Sequence, residues 1–339
     1  MPSRWSRVVS LRRCRGLALS PLPLMISSSP RIGVVLNANA GRTRRDPGLA
    51  ERLRAHLTAA DLVVATRSPD ELVATAERFL AQGVTLLAVV GGDGSASVTL
   101  SAFARVYAPA TLPPVALLRG GTMNTVANGC GVSRGSPDSL LSSLASRVRA
   151  GVALHSSARS TLAIGDRFGF LFGTGVVEGF LHAYYAHGTP TPLSAAGVLV
   201  RGVASAIVGG ALVRRIASPC RATVHFTDDT HWPLQDYLTI AAGTVDQIGL
   251  GFRPFLRCDE RPESFHILGI YAPVMALARQ LPRIRLARPM HPGHALDRVT
   301  DHATIRFASG VARYMLDGEL FETPGDLTLR AGPTIAIVR

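Results

Sequence analysis

Short, mostly apolar runs alternate with helical patterns in the first part of the chain. The runs lie at residues 32–36, 62–65, 85–90 and 115–118. Each is too short for a typical helix, and a continuous apolar run favours a strand that is buried on both faces. Residues 49–57 carry apolar residues at helical spacing instead. The resulting β-α-β-α-β order predicts a parallel sheet covered by helices.

At two positions, several neighbouring residues each favour the start of a helix. Ser68 is followed by Pro69 and, three positions after the serine, by Glu71. Serine caps free N–H groups, proline suits the first helical position, and glutamate at this distance completes a capping box. Ser136 and Pro137 repeat the first two of these signals. Helices are therefore expected to begin at both sites.

The pattern changes after about residue 151, where short alternating runs dominate. They lie at residues 161–164, 168–172, 222–226, 237–241, 265–270 and 304–307. Alternation of apolar and polar residues with a period of two predicts half-buried strands. A mainly antiparallel, β-rich second domain is therefore expected.

Two helices and a strand-rich tail complete this second domain. Helices are expected near residues 193–216 and 273–281. Arg201 interrupts the first and leaves too few consecutive apolar residues to span a bilayer, which needs about 20. A buried helix is expected there, with a helix lying on a membrane surface as the alternative. The tail predicts strands joined by turns at residues 317–318 and 324–325.

The first 30 residues differ from the rest of the chain. They hold five arginines and no acidic residue, and Pro21 and Pro23 interrupt the apolar stretch that a signal peptide would need. A disordered basic extension is expected, with Met25 as a later start site or a transit peptide as further interpretations. The predicted organisation is an extension at residues 1–30, an α/β domain at 31–150 and a β-rich domain at 151–339.

Composition excludes several classes of function. The net charge is +13, and the 36 residues counted as lysine or arginine are all arginines. Without lysine the chain has no P-loop lysine, no protein-kinase strand lysine and no Schiff-base amine. The aromatic content is 6%, and no basic stripe with interleaved aromatic residues is present, which argues against nucleic acid as a partner. The positive charge favours anionic membranes or anionic small molecules instead.

The cysteines do not form a metal or disulfide pattern. The four are Cys14, Cys130, Cys220 and Cys258, and no two of them form a CxxC pair. Neither a zinc site nor a disulfide framework is therefore expected. A reducing, cytoplasmic setting follows as the default.

A glycine-rich loop at residues 91–95, with the sequence Gly-Gly-Asp-Gly-Ser, directly follows the third predicted strand. Missing side chains let backbone N–H groups approach a phosphate, and the start of the next helix adds partial positive charge. Asp93 lies inside this loop, where a carboxylate would repel phosphates. Its presence is consistent with a role in holding Mg²⁺ or in meeting an acceptor hydroxyl.

Two further loops of small residues occupy the same position after other strands. Residues 120–124, Gly-Gly-Thr-Met-Asn, follow the fourth strand, and residues 37–41, Asn-Ala-Asn-Ala-Gly, follow the first. Thr66 ends the second strand. The carboxyl ends of parallel strands meet at one edge of a sheet, where open α/β sheets bind ligands. A shared nucleotide site is expected at that edge.

Together with a late Asp-Gly-Glu at residues 317–319, these motifs resemble the diacylglycerol kinase catalytic family, which includes bacterial lipid kinases and sphingosine kinases. The resemblance runs from about residue 31 to the C-terminus and is concentrated in residues 31–130. It implies a nucleotide-binding α/β domain similar to those of NAD kinases and diacylglycerol kinases, followed by a β-rich lipid-binding domain. The implied activity is transfer of the γ-phosphate of ATP, with Mg²⁺, to a lipid hydroxyl such as that of diacylglycerol. A role in phospholipid synthesis and a peripheral location at the cytoplasmic membrane surface are implied as well.

The resemblance also implies which residues form the site. The implied catalytic residues are Glu319, as the general base, with Asp93 and Asp317. The residues implied to bind ATP are Asn37, Ala38, Asn39, Ala40, Gly41, Thr66, Gly91, Gly92, Gly94, Ser95, Ala96, Ser97, Val98, Gly121, Thr122 and Asn124. The metal ligands are not identified by the motifs.

The role implied for Glu319 also agrees with elementary chemistry. Transfer to a hydroxyl requires removal of its proton as the new bond to phosphorus forms. Asp317 and Glu319 flank one glycine, and in an extended segment residues two apart share a face. Two carboxylates on one face are expected to raise one pKa toward neutrality.

Two departures from the family pattern leave other functions open. Thr125 stands where the family usually has aspartate, and residues 258–261, Cys-Asp-Glu-Arg, replace an Asp-Gly near the family's magnesium-binding loop. An inactive regulatory module that binds nucleotide or lipid is therefore one alternative. An enzyme similar to the NAD kinases, which share the Gly-Gly-Asp-Gly loop, is another. The acceptor lipid is not indicated, and a homodimer stays open.

Overall fold

The computed structural model describes most of the chain. It covers residues 22–24, 30–185, 194–198, 200–201 and 218–339. Most of the predicted N-terminal extension, including Met25, lies outside these residues, as does most of the predicted helix at 193–216. No helix among the described residues is long and apolar enough to cross a membrane.

The N-terminal part alternates strands and helices. Its strands are β1 (Leu22–Leu24), β2 (Ile32–Asn37), β3 (Leu62–Thr66), β4 (Leu86–Gly91) and β5 (Val115–Arg119). Its helices are α1 (Gly41–Arg45), α2 (Leu49–Ala55), α3 (Pro69–Ala81), α4 (Asp93–Tyr107), α5 (Thr125–Gly129) and α6 (Pro137–Arg149). Strands β3, β2, β4 and β5 are neighbours in that order, and all three pairings are parallel. The predicted parallel sheet is confirmed.

Both faces of this sheet are covered, as the apolar runs predict. Val35 of β2 packs in a core with Phe103 of α4, whereas its neighbour Val34 packs in a second core with Leu141 of α6. Side chains alternate across a strand, so each strand must supply apolar residues to both cores. An apolar residue at nearly every position meets this requirement.

The predicted helix starts are also present. Ser68 caps α3, because its hydroxyl accepts a hydrogen bond from the N–H of Glu71 at 3.2 Å. The Glu71 carboxylate accepts from the N–H of Arg67 rather than from the N–H of the serine, so the capping box is offset by one residue. Ser136 caps α6 in the same way by accepting from the N–H of Ser139 at 3.1 Å.

The remainder of the chain is rich in strands. These are β6 (Leu154–Ile164), β7 (Arg167–Gly169), β8 (Leu171–Gly173), β9 (Cys220–Phe226), β10 (His231–Tyr237), β11 (Thr239–Gly243), β12 (Phe265–Ile270), β13 (Ala295–Thr300), β14 (His302–Phe307), β15 (Val311–Leu316), β16 (Glu319–Pro324) and β17 (Leu327–Val338). Helices α7 (Val176–Tyr185) and α8 (Val274–Arg285) lie among them. Residues 194–198 are helical as well, and Gly249–Gly251 form a short 3-10 helix. Strands β13, β12, β11, β8, β15 and β16 form a separate, fully antiparallel sheet in that order. The α/β fold class with a β-rich second part is confirmed.

Strand β17 connects this part of the chain to the N-terminal sheet. It pairs antiparallel with β6 and β14, and its last residues, Ile337 and Val338, pair parallel with Val115 and Ala116 of β5. The result is one eleven-stranded sheet in which β10, β9, β14 and β17 continue the order beyond β5. Strand β6 also pairs with β7, and with β1 from the predicted extension.

Two of the predicted strands differ from the structure, because the chain changes sheets within them. The run at 168–172 is divided at Phe170 into β7 of the large sheet and β8 of the antiparallel sheet. The run at 237–241 is divided at Leu238 in the same way. A third change of sheet occurs at Asp301, between β13 and β14. These crossings bring the start of the antiparallel sheet close to α4 and the glycine loops.

Candidate active site

The loops after β4 and β5 pack directly against each other. The N–H of Gly120 donates to the carbonyl of Gly91 at 2.9 Å. A Cβ on Gly120 would lie 2.9 Å from the nitrogen of Gly91, and a Cβ on Gly121 would overlap the Cα of Gly92. No larger residue fits at this contact. The four glycines therefore form one continuous backbone surface.

Helix α4 presents its N-terminus at this surface. Gly92 is its N-cap residue, and no side chain among the described residues caps the helix. The first N–H groups of a 15-residue helix carry partial positive charge and are oriented outward along its axis. This end of α4 is suited to bind an anion such as a phosphate.

Asp93 connects the two glycine loops. Its two carboxylate oxygens accept the N–H groups of Thr125 and Val126, each at 2.9 Å. The carboxylate thereby caps α5, a role that its N-cap residue Asn124 does not fill. Burial raises the pKa of Asp93, and the two backbone hydrogen bonds oppose that shift.

Asn124 holds the second loop in its tight shape. Its backbone is left-handed, with φ of 48°, a conformation that asparagine tolerates better than most residues. Its side-chain oxygen accepts from the N–H of Gly121 at 3.1 Å, and its amide donates to the carbonyl of Gly121 at 2.8 Å. Thr122, predicted to contact the nucleotide, is exposed at the tip of this loop.

Thr125, where the family pattern has aspartate, is buried. Both its N–H group and its side chain hydrogen-bond to the carboxylate of Asp93. An aspartate here would place a second negative charge beside Asp93. Threonine avoids that repulsion and keeps the link between the loops.

The loop at residues 37–41 joins the same edge. The side-chain amide of Asn37 donates to the hydroxyl of Ser95 at 2.8 Å, and its oxygen accepts the N–H of Asn39 at 2.9 Å. The N–H of Ala38 donates to the carbonyl of Thr66 at 2.9 Å. The predicted convergence of these loops at the carboxyl ends of the parallel strands is observed.

The residues of α4 that were predicted to bind ATP differ in their accessibility. Ala96 and Ser97 are buried in α4, and the Ser97 hydroxyl donates to the carbonyl of Phe168 at 2.7 Å. Val98 is exposed on the same helix. The start of α4 is thus open, while its next turn packs against the second part of the chain.

The hairpin between β15 and β16 reaches this edge from the antiparallel sheet. Its turn consists of Asp317 and Gly318, which both have positive φ, at 47° and 91°, as tight two-residue hairpins require. The Asp317 side chain is buried and accepts the N–H groups of Phe170 and Leu171, at distances of 2.8 to 3.1 Å. Burial, with the charge of Asp93 as a second cause, raises the pKa of Asp317 to about 8.

Glu319 lies directly over the glycine loop. A Cβ placed on Gly94 would lie 2.7 Å from Oε1 of Glu319. The Glu319 side chain is exposed, so its carboxylate is accessible to another molecule at the mouth of the site. Two residues that are 225 positions apart in sequence are therefore neighbours (319 minus 94).

The expectation that Asp317 and Glu319 share one face is wrong. The segment is a tight turn rather than an extended strand, so Asp317 is directed into the protein and Glu319 outward. The like charge that raises the pKa of Asp317 comes from Asp93 instead.

Tyr185 is a site residue that the sequence did not reveal. Its hydroxyl, at the end of α7, donates to the carbonyl of Gly318 at 3.0 Å. Burial, followed by the charge of Glu319, raises its pKa. Tyrosine in an amphipathic helix carries no local signal of such a contact, since the partner lies 133 residues away.

The departure at residues 258–261 does not provide a metal cluster. Asp259 forms an ion pair with Arg159, and Glu260 forms one with Arg257. Within the described part of the chain, no group of three or more histidine, cysteine, aspartate or glutamate side chains is arranged to hold a metal ion.

Comparison with known families identifies the segment that carries the loops. Residues 31–155 match the model of the diacylglycerol kinase catalytic domain. Over this segment the chain is similar to the diacylglycerol kinase catalytic-domain family. The three converging loops lie inside it, whereas Asp317 and Glu319 lie beyond its end.

Solved structures extend the likeness in fold to most of the chain. A diacylglycerol kinase from Bacillus anthracis str. Sterne superimposes with a TM-score of 0.59 at 13% identity, covering 92% of this chain and 97% of that one. Two further structures from that organism, provisionally named diacylglycerol kinases, give TM-scores of 0.65 and 0.60 at 14% identity. Each covers 92% of this chain and 98% of its own. At such low identity the likeness establishes the fold alone, and no curated protein sequence matches the chain significantly.

Proposed function

We propose that this protein is a lipid kinase that transfers the γ-phosphate of ATP to a lipid hydroxyl. The observation that carries the proposal is the position of Glu319, whose carboxylate lies over Gly94 at the start of α4. An exposed carboxylate beside an anion-binding helix terminus has no phosphate-binding use. It is suited to receive the proton of a hydroxyl that attacks a phosphate.

The phosphates of ATP fit the edge formed by the glycine loops. The N-terminus of α4 offers backbone N–H groups, and the packed glycines leave no side chain between them and a ligand. Arg44 and Arg45 of α1 are exposed directly after the 37–41 loop and add positive charge nearby. In this proposal the backbone binds the phosphates, and Asp93 acts by holding the two loops in place.

Mg²⁺ also fits the acidic residues of the site. Asp93 accepts three hydrogen bonds, from the N–H groups of Thr125 and Val126 and from the side chain of Thr125, and the two oxygens of a carboxylate offer about four lone-pair sites. Mg²⁺ is commonly held by one or two carboxylates together with substrate phosphates, so a full protein cage is not needed. When bound, the ion would neutralise charge that develops on the transferred phosphoryl group. Asp93 is the residue proposed to hold it.

Asp317 and Tyr185 position the catalytic carboxylate. The buried Asp317 anchors the turn to the backbone of Phe170 and Leu171, and Tyr185 holds the carbonyl of Gly318 from the other side. These contacts fix the turn that precedes Glu319. The general base is thereby held at a set distance from the glycine loops.

The proposal is tested by offering several acceptors at once. The full-length protein is incubated with labelled ATP, Mg²⁺, a mixed lipid extract and NAD, and the labelled products are identified by mass spectrometry. A phosphorylated lipid is expected. Label in NAD alone would contradict the proposal and favour an NAD kinase. ATP binding without any labelled product would instead indicate a regulatory module.

A further inference from the structure

Helix α8 and the segment that follows it carry a concentrated positive charge. Residues 271–296 contain four arginines and no acidic residue. The side chains of Arg279, Arg285 and Arg288 are exposed, and Leu286 between them is 64% exposed. Leu286 thus adds an exposed apolar side chain to a positively charged surface.

The inner face of α8 is fixed to the protein. Gln280 and Ile284 are buried, and the carbonyl of Ile284 accepts the N–H of Arg253 at 3.1 Å. The helix therefore presents its outer face, with its arginines, in a set direction.

The loop at residues 248–253 belongs to the same surface. The guanidinium of Arg285 donates to the carbonyl of Leu250 and lies 5.9 Å from the ring centre of Phe252. Arg253, also in this loop, is exposed and forms an ion pair with Asp246. We name residues 248–253 and 279–288 together the α8 arginine surface.

This surface lies next to the proposed nucleotide site. A Cβ on Gly249 would lie 2.5 Å from Cε of Met123, and Met123 belongs to the loop at residues 120–124. A partner that covers the α8 arginine surface would therefore be close to the loops that are proposed to bind ATP.

We propose that the α8 arginine surface docks on an anionic lipid bilayer. Arginines near such a surface are attracted to its phosphates, and an exposed leucine among them inserts at the boundary of the headgroups. Of the five arginines of the surface, one, Arg253, forms an ion pair with an acidic residue, Asp246. The surface therefore carries a net positive charge, which is complementary to an anionic partner. Nucleic acid suits the surface less well, because Phe252 is its one aromatic residue and Arg285 already lies over that ring.

The docking proposal rests on the proposed lipid kinase function, because a lipid kinase must reach its acceptor in a membrane. The experiment that tests docking does not require kinase activity. Vesicle binding is measured by sedimentation, which requires no phosphate transfer.

The test uses a double substitution, Arg279→Gln with Arg288→Gln. Neither side chain has a hydrogen bond or ion pair with another described residue, so folding should be retained. The matched control, Arg78→Gln with Arg330→Gln, removes two exposed arginines elsewhere. Sedimentation is compared with vesicles of phosphatidylcholine and with vesicles of equal parts phosphatidylcholine and phosphatidylglycerol.

The double variant is expected to bind the anionic vesicles roughly 10- to 30-fold more weakly than the unmodified protein, and the control within about twofold. Leu286→Gln should weaken binding further without changing charge. Equal binding by the double variant and the control would overturn the proposal, as would an unmodified protein that does not bind anionic vesicles.

Two further measurements separate the possible failures. If the unmodified protein docks but phosphorylates no lipid, the docking surface stands and the proposed function fails. If the unmodified protein phosphorylates a short-chain lipid dispersed without vesicles, the proposed function stands. If the double variant then binds anionic vesicles as well as the unmodified protein does, the docking surface is wrong. A double variant that loses affinity for a DNA duplex but keeps its affinity for vesicles would reassign the surface to nucleic acid.

Discussion

At the scale of single residues, Gly94 is one of the positions where the two parts of the chain meet. Its missing side chain leaves room for the carboxylate of Glu319, which comes from the other sheet. Gly92, Gly120 and Gly121 serve a different purpose, because they let the backbones of two loops approach each other. A side chain added at Gly94 would therefore affect the proposed base and leave the loop contact intact.

Gly94→Ala should separate catalysis from folding. The new Cβ would displace the end of the flexible Glu319 side chain, which costs little stability, but a catalytic group misplaced by about 1 Å can lose about 100-fold in rate. Turnover of a lipid acceptor should fall by about that factor, while the melting temperature stays close to that of the unmodified protein. Gly197→Ala is the control, since this glycine lies outside the proposed site and a Cβ there meets no atom within 4 Å. Normal turnover by Gly94→Ala would contradict the placement of Glu319.

Asp317 should make the stability depend on pH. Its pKa is raised to about 8 in the folded protein, above the value of about 3.9 expected in an unfolded chain. Between these values the folded state binds a proton that the unfolded state releases, so stability should fall as pH rises from about 5 to about 8. Denaturant unfolding at several pH values measures this. Asp317→Asn should flatten the dependence over that range, and an unchanged slope would show that other groups cause it.

At the scale of elements, the sequence predicts those parts of the fold that are determined locally. The parallel strands are apolar at nearly every position because they are covered on both faces, and Ser68 and Ser136 mark helix starts through contacts within three residues. The loops could be placed for the same reason, since each directly follows a strand.

Elements determined by distant contacts could not be predicted in this way. The chain changes sheets at Phe170 because its N–H group bonds to Asp317, which lies 147 residues away. The tight turn at Asp317 likewise depends on its contacts with Phe170 and Leu171. The residues around Asp317 give no sign of these contacts, so the prediction of an extended segment was wrong. Tyr185 entered the site for a similar reason, through the carbonyl of Gly318.

Strand β17 should stabilise the whole molecule through its buried residues. Ile337 is fully buried and pairs on one side with Val115 of β5 and on the other with Ser157 of β6. Ile337→Ala should lower the free energy of unfolding by about 2–5 kcal/mol, with an unchanged denaturant slope. Thr334→Val, at an exposed position of the same strand, should change it by less than about 0.5 kcal/mol. A loss below about 1 kcal/mol for Ile337→Ala would mean that β17 is not part of the central core.

At the scale of the whole molecule, the N-terminal part shares its core with the rest of the chain. One apolar cluster contains Phe103 of α4, Phe170 between the sheets, and Ile335 and Ile337 of β17. A division near residue 150 therefore cuts through packed side chains, although it separates two recognisable patterns in the sequence.

A fragment of residues 31–150 should consequently not fold independently. It would leave β5 without its partner β17 and expose the face of α4 that contacts the second part. Circular dichroism during denaturation should show no cooperative transition for the fragment, in contrast to the full-length protein. A sharp transition with ATP binding would show instead that the first domain is autonomous.

The central claim is that Glu319, supplied by the antiparallel sheet, is the general base for a hydroxyl held at the glycine loops. The most direct measurement compares Glu319→Gln with the unmodified protein in the transfer of labelled phosphate from ATP to a lipid acceptor, alongside ATP affinity. Glutamine keeps the shape and removes the basicity, so turnover should fall by about 10²–10⁴-fold, while ATP affinity stays within a few-fold. Asp93→Asn should differ by weakening ATP binding as well, because Asp93 connects the loops. Near-normal turnover by Glu319→Gln, on a lipid that the unmodified protein phosphorylates, would contradict the claim.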